Sequence, residues 1–460
     1  MKFTEHTIHT LLQKQPNYRA ESYAEEAYSD EEVTALKKLA SDELALPLDW
    51  TAYSLSDDSV HKFKKNVGYT AVTLSYEGHH ITPHIILFNS NSIELIQLSI
   101  SYYPTRIALN CMGLASFIAH KHGFNLKSAT LLCINQPLNE SKYKSHHYGL
   151  FKSIAMTKRV KKISQRVCLL HPRLLEKEKE LADHQQFLDH FQTTDIACLI
   201  NFPYKQKVML YNQGIRTFKD ISNSTLPLSA IQQRQCDVEI SQKPYINLNE
   251  LRSFFNSITS TVHFFDSEAC QFPIPVLFTK KPFETFPFSF SVHTLNHVKN
   301  DPTHDEAFFY PDTDFRRAFA EALISYLNHG NSIIVYDATM EKKLLQNFAL
   351  LFPDLADDLN TIILNIKDIA PLFLNHHIIL PGMKGKRSIK YIIEAIQTHN
   401  PYHDLAIQSG FYAAHTYKQL FYTPSSEREL IKNNLCSYCA LDTENLVAIF
   451  KFLFTFIQKK

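Results

Sequence analysis

The order of strands and helices after residue 256 constrains the fold of this chain more than any other feature. Apolar, β-branched and aromatic runs predict three successive strands, in TVHFFDSE, FSFSVHTL and EAFFY. A helix (FRRAFAEALISYLNHG), a strand (SIIVYD), a helix (EKKLLQNFALLF) and a strand (TIILNIKDI) follow, and two helical segments close the chain. This order predicts a three-layer α/β domain with a mixed sheet.

The sequence before this domain divides into two regions. From Val67, three β-branched runs, a helical stretch and another strand indicate a small α/β unit, which a helical, acidic stretch precedes. Residues from about 170 to 255 read as helices with short loops. We therefore predict three parts: an α/β domain over residues 1–165 with a helical N-terminus, a mostly helical connector over 166–255, and an RNase H-like domain over 256–460.

Composition and charge exclude several classes of protein. The chain has 460 residues, with 47 Lys and Arg against 46 Asp and Glu, and so lacks the charge excess of a disordered tail. Without a long apolar run or the apolar region of a signal peptide, it reads as a soluble cytoplasmic protein with no membrane partner. Only 10 glycines, with neither a P-loop nor GxGxxG, argue against a nucleotide cofactor.

The eight cysteines are irregularly spaced, which indicates reduced thiols rather than a disulfide framework. Cys436 and Cys439 form a CxxC pair. A structural zinc site needs four ligands and the sequence has no second CxxC, so the pair alone does not predict a metal site.

Acidic residues fall where the predicted strands and helices of the C-terminal domain end. Asp266 and Glu268 close an apolar strand two residues apart, so both would project from one face. Two neighbouring carboxylates at the end of a buried strand repel each other unless a cation bridges them, and Mg²⁺ or Mn²⁺ prefers carboxylate oxygen. The alternative is an exposed turn with two unrelated acids.

Two further pairs lie four residues apart on predicted helices. Tyr438 and Asp442 share one face of the final helix, and Asp337 and Glu341 lie where a strand turns into a helix. For the latter pair the alternative is structural, with Asp337 as the N-cap and Glu341 as a first-turn acid. The predicted topology can bring all three acidic elements together, which favours a shared site.

These segments resemble known motifs. HFFDSEA, VYDATMEKKLL and YCALDTENLV resemble the three motifs of the DEDDy branch of the DEDD 3′ to 5′ exonucleases. The stretch from about Ala197 to Leu453 also resembles an uncharacterised bacterial family, domain of unknown function 2779. The elements that carry this resemblance are Asp266/Glu268, Tyr336-Asp337 with Met340-Glu341, Ser388-Ile389-Lys390, and Tyr438-Cys439 with Asp442-Thr443.

The resemblance implies a metal-dependent 3′ to 5′ exonuclease that hydrolyses phosphodiester bonds of DNA or RNA with two Mg²⁺ or Mn²⁺ ions. The implied catalytic residues are Asp266, Glu268, Glu341, Tyr438 and Asp442. The four acids among them would bind the metals, and Tyr438 would orient the attacking water. Four further residues are expected to support these ligands or to bind the substrate: Asp337, Asp368, Ser388 and Lys390.

The second motif departs from the exonuclease pattern. Asp337 stands where the exonucleases carry Asn, and Glu341 stands where they carry Asp. Asp337 adds a negative charge near the expected metals, and Glu341 lengthens one ligand by a methylene group. These departures motivate a second hypothesis, in which the protein is an inactive nucleic-acid-binding or assembly module. A toxin or defence protein activated by a partner is a third.

The N-terminal half of the same family resembles a PD-(D/E)XK nuclease related to the iron-sulfur exonucleases of CRISPR systems. Hydrolysis in that fold needs Asp on one strand and Glu-x-Lys on the next. The matching strands here place His84, Gln97 and Ser99 at those positions. The remaining cysteines are too scattered for an iron-sulfur cluster. The resemblance thus implies a degenerate domain without that cluster, whose remaining role would be to bind or orient nucleic acid.

A basic segment lies between Glu140 and Glu176, where no acidic residue occurs. Its members include Lys158, Arg159, Lys161 and Lys162, with Tyr148 and Phe151 nearby. Such a segment can neutralise phosphates and stack on unpaired bases, which predicts a nucleic-acid partner with a single-stranded end. The alternative is a solvated helical face that binds no ligand.

Overall fold

The computed structural model describes residues 30–55, 63–76, 79–135, 149–170, 187, 190–276, 278–327 and 329–458. The chain divides into two compact units. Unit 1 comprises Met1–Glu180 with Gln271–Glu284, and unit 2 comprises Leu181–Cys270 with Thr285–Lys460. Both contain mixed sheets and helices, which confirms the α/β prediction. The predicted helical stretch near the N-terminus falls partly on residues 1–29, outside the described residues.

Unit 1 is built around two sheets. Its strands, within the described residues, are β1 (Leu48–Asp49), β2 (Tyr53–Leu55), β3 (Gly68–Tyr69), β4 (Val72–Tyr76), β5 (His79–Ile81), β6 (Ile85–Phe88), β7 (Ser92–Ser99), β8 (Asn125–Ile134) and β9 (Phe151–Ala155). Its helices there are α1 (Asp30–Leu44), α2 (Arg106–Lys121) and α3 (Thr157–Leu170). The larger sheet has the order β1-β3-β6-β7-β8-β9, and β2, β4 and β5 form the smaller one.

Helix α2 lies in the core of unit 1. Its sequence is apolar on nearly every face, and each residue from Ile107 to Ala119 is buried. Thr105 caps its first turn by accepting a hydrogen bond from the backbone of Ala108. Gly113 allows a close approach of helix α3, because a Cβ atom there would lie 2.3 Å from Cγ2 of Ile163.

A second apolar cluster in unit 1 includes residues distant in sequence. Leu36, Leu98 and Leu132 form part of it, and Ile274 and Phe283 pack against it. Two contacts of Tyr102 fix this arrangement. Its hydroxyl donates to the carbonyl of Pro282 at 2.6 Å, and its ring meets that of Phe283 edge to face at 5.1 Å between centroids. The segment 271–284 is therefore part of the unit 1 core.

Unit 2 includes most of residues 256–460 and, before them, most of residues 181–255. Its strands, in the described part of the chain, are β10 (Tyr245–Ile246), β11 (Val262–Cys270), β12 (Phe286–Leu295), β13 (Thr303–Phe308), β14 (Ser332–Val335), β15 (Ile366–Asp368) and β16 (Ile378–Ile379). Its α-helices there are α4 (Asp195–Cys198), α5 (Tyr204–Asn212), α6 (Phe218–Asn223), α7 (Ala230–Ser241), α8 (Leu248–Asn256), α9 (Arg316–Leu327), α10 (Thr339–Leu351), α11 (Ala356–Asn365), α12 (Ala370–Leu374), α13 (Ile389–Gln397), α14 (Gly410–Gln419) and α15 (Arg428–Gln458). Among these residues no helix is both long and apolar enough to cross a membrane.

The main sheet of unit 2 has the order β13-β12-β11-β14-β15. Strand β12 is antiparallel to both β11 and β13, whereas β11, β14 and β15 run parallel. The carboxyl ends of the three parallel strands therefore lie at one edge. Asp266 and Glu268 leave this edge from β11, and Asp368 ends β15, paired with Val335 at the end of β14. The sheet topology thus places Asp266, Glu268 and Asp368 at the same edge of the sheet.

One predicted strand differs from the structure. The run TIILNIKDI reads as a strand because it is rich in β-branched residues, yet helix α11 continues through it to Asn365 and only Ile366–Asp368 form β15. Ile362 of this run and Leu359 just before it are buried on one helical face. Tertiary packing thus overrides the local β-propensity of the run.

Strand β11 and helix α15 form the support of the acids. Val262 to Phe265 are all buried, as expected for a central strand covered on both faces. The ring of Phe264 meets that of Phe450 on α15 edge to face at 5.2 Å. The hydroxyl of Thr443, also on α15, bonds to the Ser291 hydroxyl at 2.7 Å and to Nδ1 of His293 at 2.8 Å, both on β12. These buried bonds set the rotation of α15 and hence the direction of its neighbouring side chains.

Gly385, which lies in the loop before α13, gives a stability prediction. Its φ is +73°, and an added Cβ would lie 2.6 Å from the carbonyl oxygen of Cys198. Gly382 has a φ of +84° and open space around it, so Gly382→Ala incurs only the left-handed strain. We expect Gly385→Ala to lower the free energy of unfolding by about 3 kcal/mol and the matched Gly382→Ala by about 1 kcal/mol. Denaturant unfolding followed by circular dichroism measures both, and equal midpoints would contradict the backbone collision.

Candidate metal centre

The first acidic pair lies at the end of β11 beside helix α15. Ligand atoms of Asp266, Glu268 and Cys439 all lie within 4.8 Å of one another. Glu268 is 7% exposed and Cys439 is 1% exposed. The spacing of two residues on a strand sends both carboxylates to the same face, as the sequence predicts. These side chains form the centre of the candidate site.

Asp442 joins this pair from α15. The Tyr402 hydroxyl donates to its Oδ1 atom. Tyr438, one helical turn before Asp442, also donates to the carboxylate. Burial raises the pKa of Asp442 to about 6, although both phenols and the positive charge of Lys390 act in the opposite direction. Asp442 is thus a buried carboxylate held by two tyrosines.

Glu341 is the fourth acid and lies in the first turn of α10. Its side chain is buried, and its Oε2 atom has no hydrogen-bond partner. Burial, together with the nearby charges of Asp337 and Asp368, raises the pKa of Glu341 to about 7. A buried carboxylate oxygen without a partner is costly, which indicates that a cation or a proton completes this position.

The four acids interact electrostatically. Burial and the charges of Asp442 and Glu341 raise the pKa of Asp266 and of Glu268, and Glu268 adds to the effect on Asp266. Desolvation and like-charge repulsion therefore both disfavour the ionised cluster. A divalent cation would relieve both, and carboxylate oxygens are its preferred donors. The residues present thus fit a divalent metal.

Among the described residues, Lys390 on α13 is the cation whose charge acts on Glu268 and Asp442. Its ammonium nitrogen lies 4.5 Å from the ring centroid of Tyr402 and 5.0 Å from that of Tyr438, and it donates to the carbonyl of Gln408. Its charge lowers the pKa of Glu268 and of Asp442. One lysine does not neutralise four carboxylates, so the ionised cluster has a net negative charge.

The remaining predicted residues around the second motif have local roles. Asp337 is exposed with a φ of +64°, and its Oδ1 accepts from the hydroxyl of Thr339 at 2.7 Å. Asp368 accepts from the backbone of Asp337 at 3.0 Å and of Ala338 at 3.1 Å. It therefore holds the turn that starts α10 and positions Glu341. Ser388 is the N-cap residue of α13 and is exposed.

The structure thus brings Asp266, Glu268, Asp442, Tyr438 and Lys390 together, with Glu341 close enough to act on the first two. The side chain of Asp337 stays in its own turn, although its charge still raises the pKa of Glu341.

Residues 263–388 match the family described as Domain of unknown function (DUF2779). The match confirms the resemblance over that stretch. It includes Asp266 and Glu268 of β11 and Glu341 at the start of α10, and it ends at Ser388, before Lys390, Tyr438 and Asp442. Comparison with curated proteins gives no match.

Sequence reasoning missed three contributors around the DUF2779 segment. Tyr402 lies in the 3-10 turn Pro401–Asp404, which has no periodic pattern to mark a buried side chain. Cys439 lies three residues before Asp442 and thus on the same helical face, a signal that was available. Gly410, at the start of α14, borders the site, because a Cβ atom there would lie in ordinary contact with Oε2 of Glu268, at 3.7 Å.

Of the three positions in unit 1 that would match a PD-(D/E)XK site, Gln97 and Ser99 are buried and His84 is half-buried, and all three bond to backbone. Nδ1 of His84 accepts from the backbone of Leu98 at 3.1 Å, and the Gln97 side chain accepts from the backbone of His84 at 3.3 Å. The Ser99 hydroxyl donates to the carbonyl of Tyr103 at 3.3 Å. Burial and the nearby charge of Lys37 lower the pKa of His84 to about 3, so it is neutral at physiological pH.

The predicted nucleic-acid-binding residues lie on helix α3 of unit 1. Lys158, Arg159, Lys161 and Lys162 are all exposed, and the helix contains no acidic residue. Val160 and Val167 are buried on the opposite face, where α3 packs against α2. The basic residues therefore form an exposed face on a firmly packed helix.

Proposed function

We propose that unit 2 is a metal-dependent nuclease that hydrolyses phosphodiester bonds at the 3′ end of DNA or RNA. The observation that carries this proposal is that Asp266 and Glu268 of β11 lie close together at a site where the charges of Asp442 from α15 and Glu341 from α10 act on both. Functional acids on distant segments gather in this way where a shared cation must be held.

The topology supports the same proposal. Three antiparallel strands followed by two parallel ones, in the order β13-β12-β11-β14-β15, agree with an RNase H-like domain. Asp266 and Glu268 lie on its first strand, Glu341 after its fourth, and Asp442 on the last helix. This is the sequence order of the three motifs in the DEDD exonucleases that the chain resembles. The proposal extends to unit 1 as a degenerate PD-(D/E)XK-like domain.

Asp266, Glu268, Glu341 and Asp442 would hold the divalent ions. When bound, such ions neutralise the carboxylates, polarise the phosphate and lower the pKa of a coordinated water. Asp266, at the centre of the cluster, is the residue best placed to serve two ions, because the charges of all three other acids act on it.

Tyr438, Tyr402 and Lys390 would position the reacting groups. Burial and the neighbouring acids raise the pKa of Tyr438 above its usual value, so its phenol stays protonated at neutral pH and serves as a hydrogen-bond donor rather than a base. Tyr402 fixes one oxygen of Asp442. Lys390 supplies a positive charge beside Glu268 and Asp442 that can attract a phosphate.

A second candidate function is an inactive nucleic-acid-binding or assembly module. The observation in its favour is that Asp442 already has two phenol donors and the charge of Lys390 within the protein. In such a module, the two phenols and Lys390 would stabilise the negative charge of Asp442, and no metal would be needed.

The test is a digestion of single-stranded DNA and RNA, each labelled at the 5′ end, with purified protein and Mg²⁺, Mn²⁺ or Zn²⁺. We expect a ladder of shortening labelled products and release of mononucleotides, with none in chelator. The same strand with a blocked 3′ end is the control and should stay intact. Salt-dependent binding of the strands without cleavage under every metal would refute the nuclease and support the module.

A further inference from the structure

The thiol of Cys439 is not among the donors expected of a carboxylate metal site. It lies on α15 and is 1% exposed. Its sulfur lies 3.7 Å from the carbonyl oxygen of Asp266 and within 4.8 Å of a carboxylate oxygen of both Asp266 and Glu268. A metal between these residues would therefore have sulfur as an immediate neighbour.

Glu341 is an independent sign that this position binds a ligand. Its side chain is 5% exposed, its Oε2 atom has no partner, and its charge acts on both Asp266 and Glu268. A buried carboxylate oxygen without a partner is costly, and a cation near these acids would remove that cost. The Cys439 thiol and the charge of Glu341 thus both act on the same two acids, Asp266 and Glu268.

We propose that Cys439 ligates the cation held by Asp266 and Glu268, so that the centre selects a thiophilic transition ion such as Zn²⁺ over Mg²⁺. This inference rests on the proposed metal site of unit 2 and specifies its metal. On binding, a sulfur–metal bond forms, the thiol proton passes to solvent, and no electron is transferred.

The distances allow this with small movements. Zn–S bonds of about 2.3 Å and Zn–O bonds of about 2.1 Å place the donors of a tetrahedral site about 3.6 Å apart. The three donor atoms here must approach one another by about 1.2 Å at most, which side-chain rotation provides. A thiolate suits Zn²⁺, whereas Mg²⁺ requires oxygen ligands in octahedral geometry.

The test is a titration of the metal-free, full-length protein with Cd²⁺, a Zn²⁺ analogue whose bond to sulfur absorbs in the ultraviolet. We expect the wild type to show a charge-transfer band. Its intensity should saturate after one more equivalent of Cd²⁺ than the band of Cys439→Ser does. Cys436→Ser is the matched control, because Cys436 is a buried thiol one turn earlier on the same helix, and it should keep the band. Asp266→Asn should lose the band while its cysteines are intact.

A competition experiment measures the affinity for Zn²⁺. Cys439→Ser should bind Zn²⁺ at least about tenfold more weakly than the wild type, with Mg²⁺ affinity little changed.

The outcomes separate this inference from the proposed function. If wild type and Cys439→Ser bind Cd²⁺ with the same spectrum and Zn²⁺ with the same affinity, Cys439 is not a ligand, while the carboxylate site stands. If no divalent ion binds the wild type, both proposals are refuted. Cys439→Ala, tested in parallel and checked by thermal unfolding, distinguishes a lost ligand from a misfolded protein.

Discussion

Asp266→Asn should reduce metal-dependent hydrolysis by about a thousandfold, and Asp442→Asn should do the same. Both changes keep the shape of the side chain and remove a charge from a cluster that the metal-free fold tolerates poorly. The variants should therefore be at least as stable as the wild type without metal. A large loss of rate with no loss of stability can only come from the site itself.

Asp337→Asn is the matched control for these variants. Asp337 carries the same functional group close by in the fold, but it is exposed and bonds to Thr339 in its own turn. Asn can accept the same bonds, so we expect a rate within about threefold of the wild type. The double change Asp266→Ala with Asp442→Ala should leave no activity. Full activity in that variant would assign the hydrolysis to a contaminant or to another site.

Glu341→Gln should stabilise the metal-free protein at alkaline pH. The folded pKa of Glu341 is raised from 4.5 to about 7, so the folded state holds a proton that the unfolded chain has already released. The free energy of unfolding must therefore fall as pH rises through this window and stay low above it. The shift corresponds to a penalty of about 3 kcal/mol, most of which Gln removes.

We expect the stability gain of Glu341→Gln to be about 2 kcal/mol near pH 8 and close to zero near pH 4. Calorimetry in chelator measures it. The fluorescence of Trp50, the single tryptophan and a residue of unit 1, provides an internal control whose transition should not move. Mn²⁺ or Zn²⁺ should then raise the wild-type midpoint more than that of the variant. A wild type whose stability rises with pH in chelator would contradict the uncompensated cluster.

The parts of unit 2 that could be predicted from the sequence carry periodic signals. The apolar run before Asp266 marks a buried central strand, and the spacing of Tyr438 and Asp442 fits one face of a helix whose Leu435 and Phe450 are also buried. These local patterns fix which acids face inward. The strand order follows from connection lengths, since three close strands pair antiparallel before the helical crossovers begin.

The parts that could not be predicted depend on long-range contacts. From the sequence, a CxxC pair predicts a zinc site only when further cysteines can complete a tetrahedral set of ligands. The neighbours of Cys439 in the structure are instead carboxylates of strand β11, about 173 residues earlier in the chain. Tyr402 lies in a short turn whose sequence resembles any exposed loop. The strand predicted at TIIL became helix α11 because burial of Leu359 and Ile362 outweighed β-branching. In each case the deciding partner lies far away in the sequence.

The chain path sets an order of events during synthesis on the ribosome. The apolar cluster of Leu36 and Leu98 also needs Ile274 and Phe283, which are translated only after the whole of strand β11. The core of unit 1 is therefore complete only after residues about a hundred positions beyond helix α3 have been synthesised. A nascent chain arrested near residue 200 would therefore leave this cluster of unit 1 incomplete and exposed to chaperones.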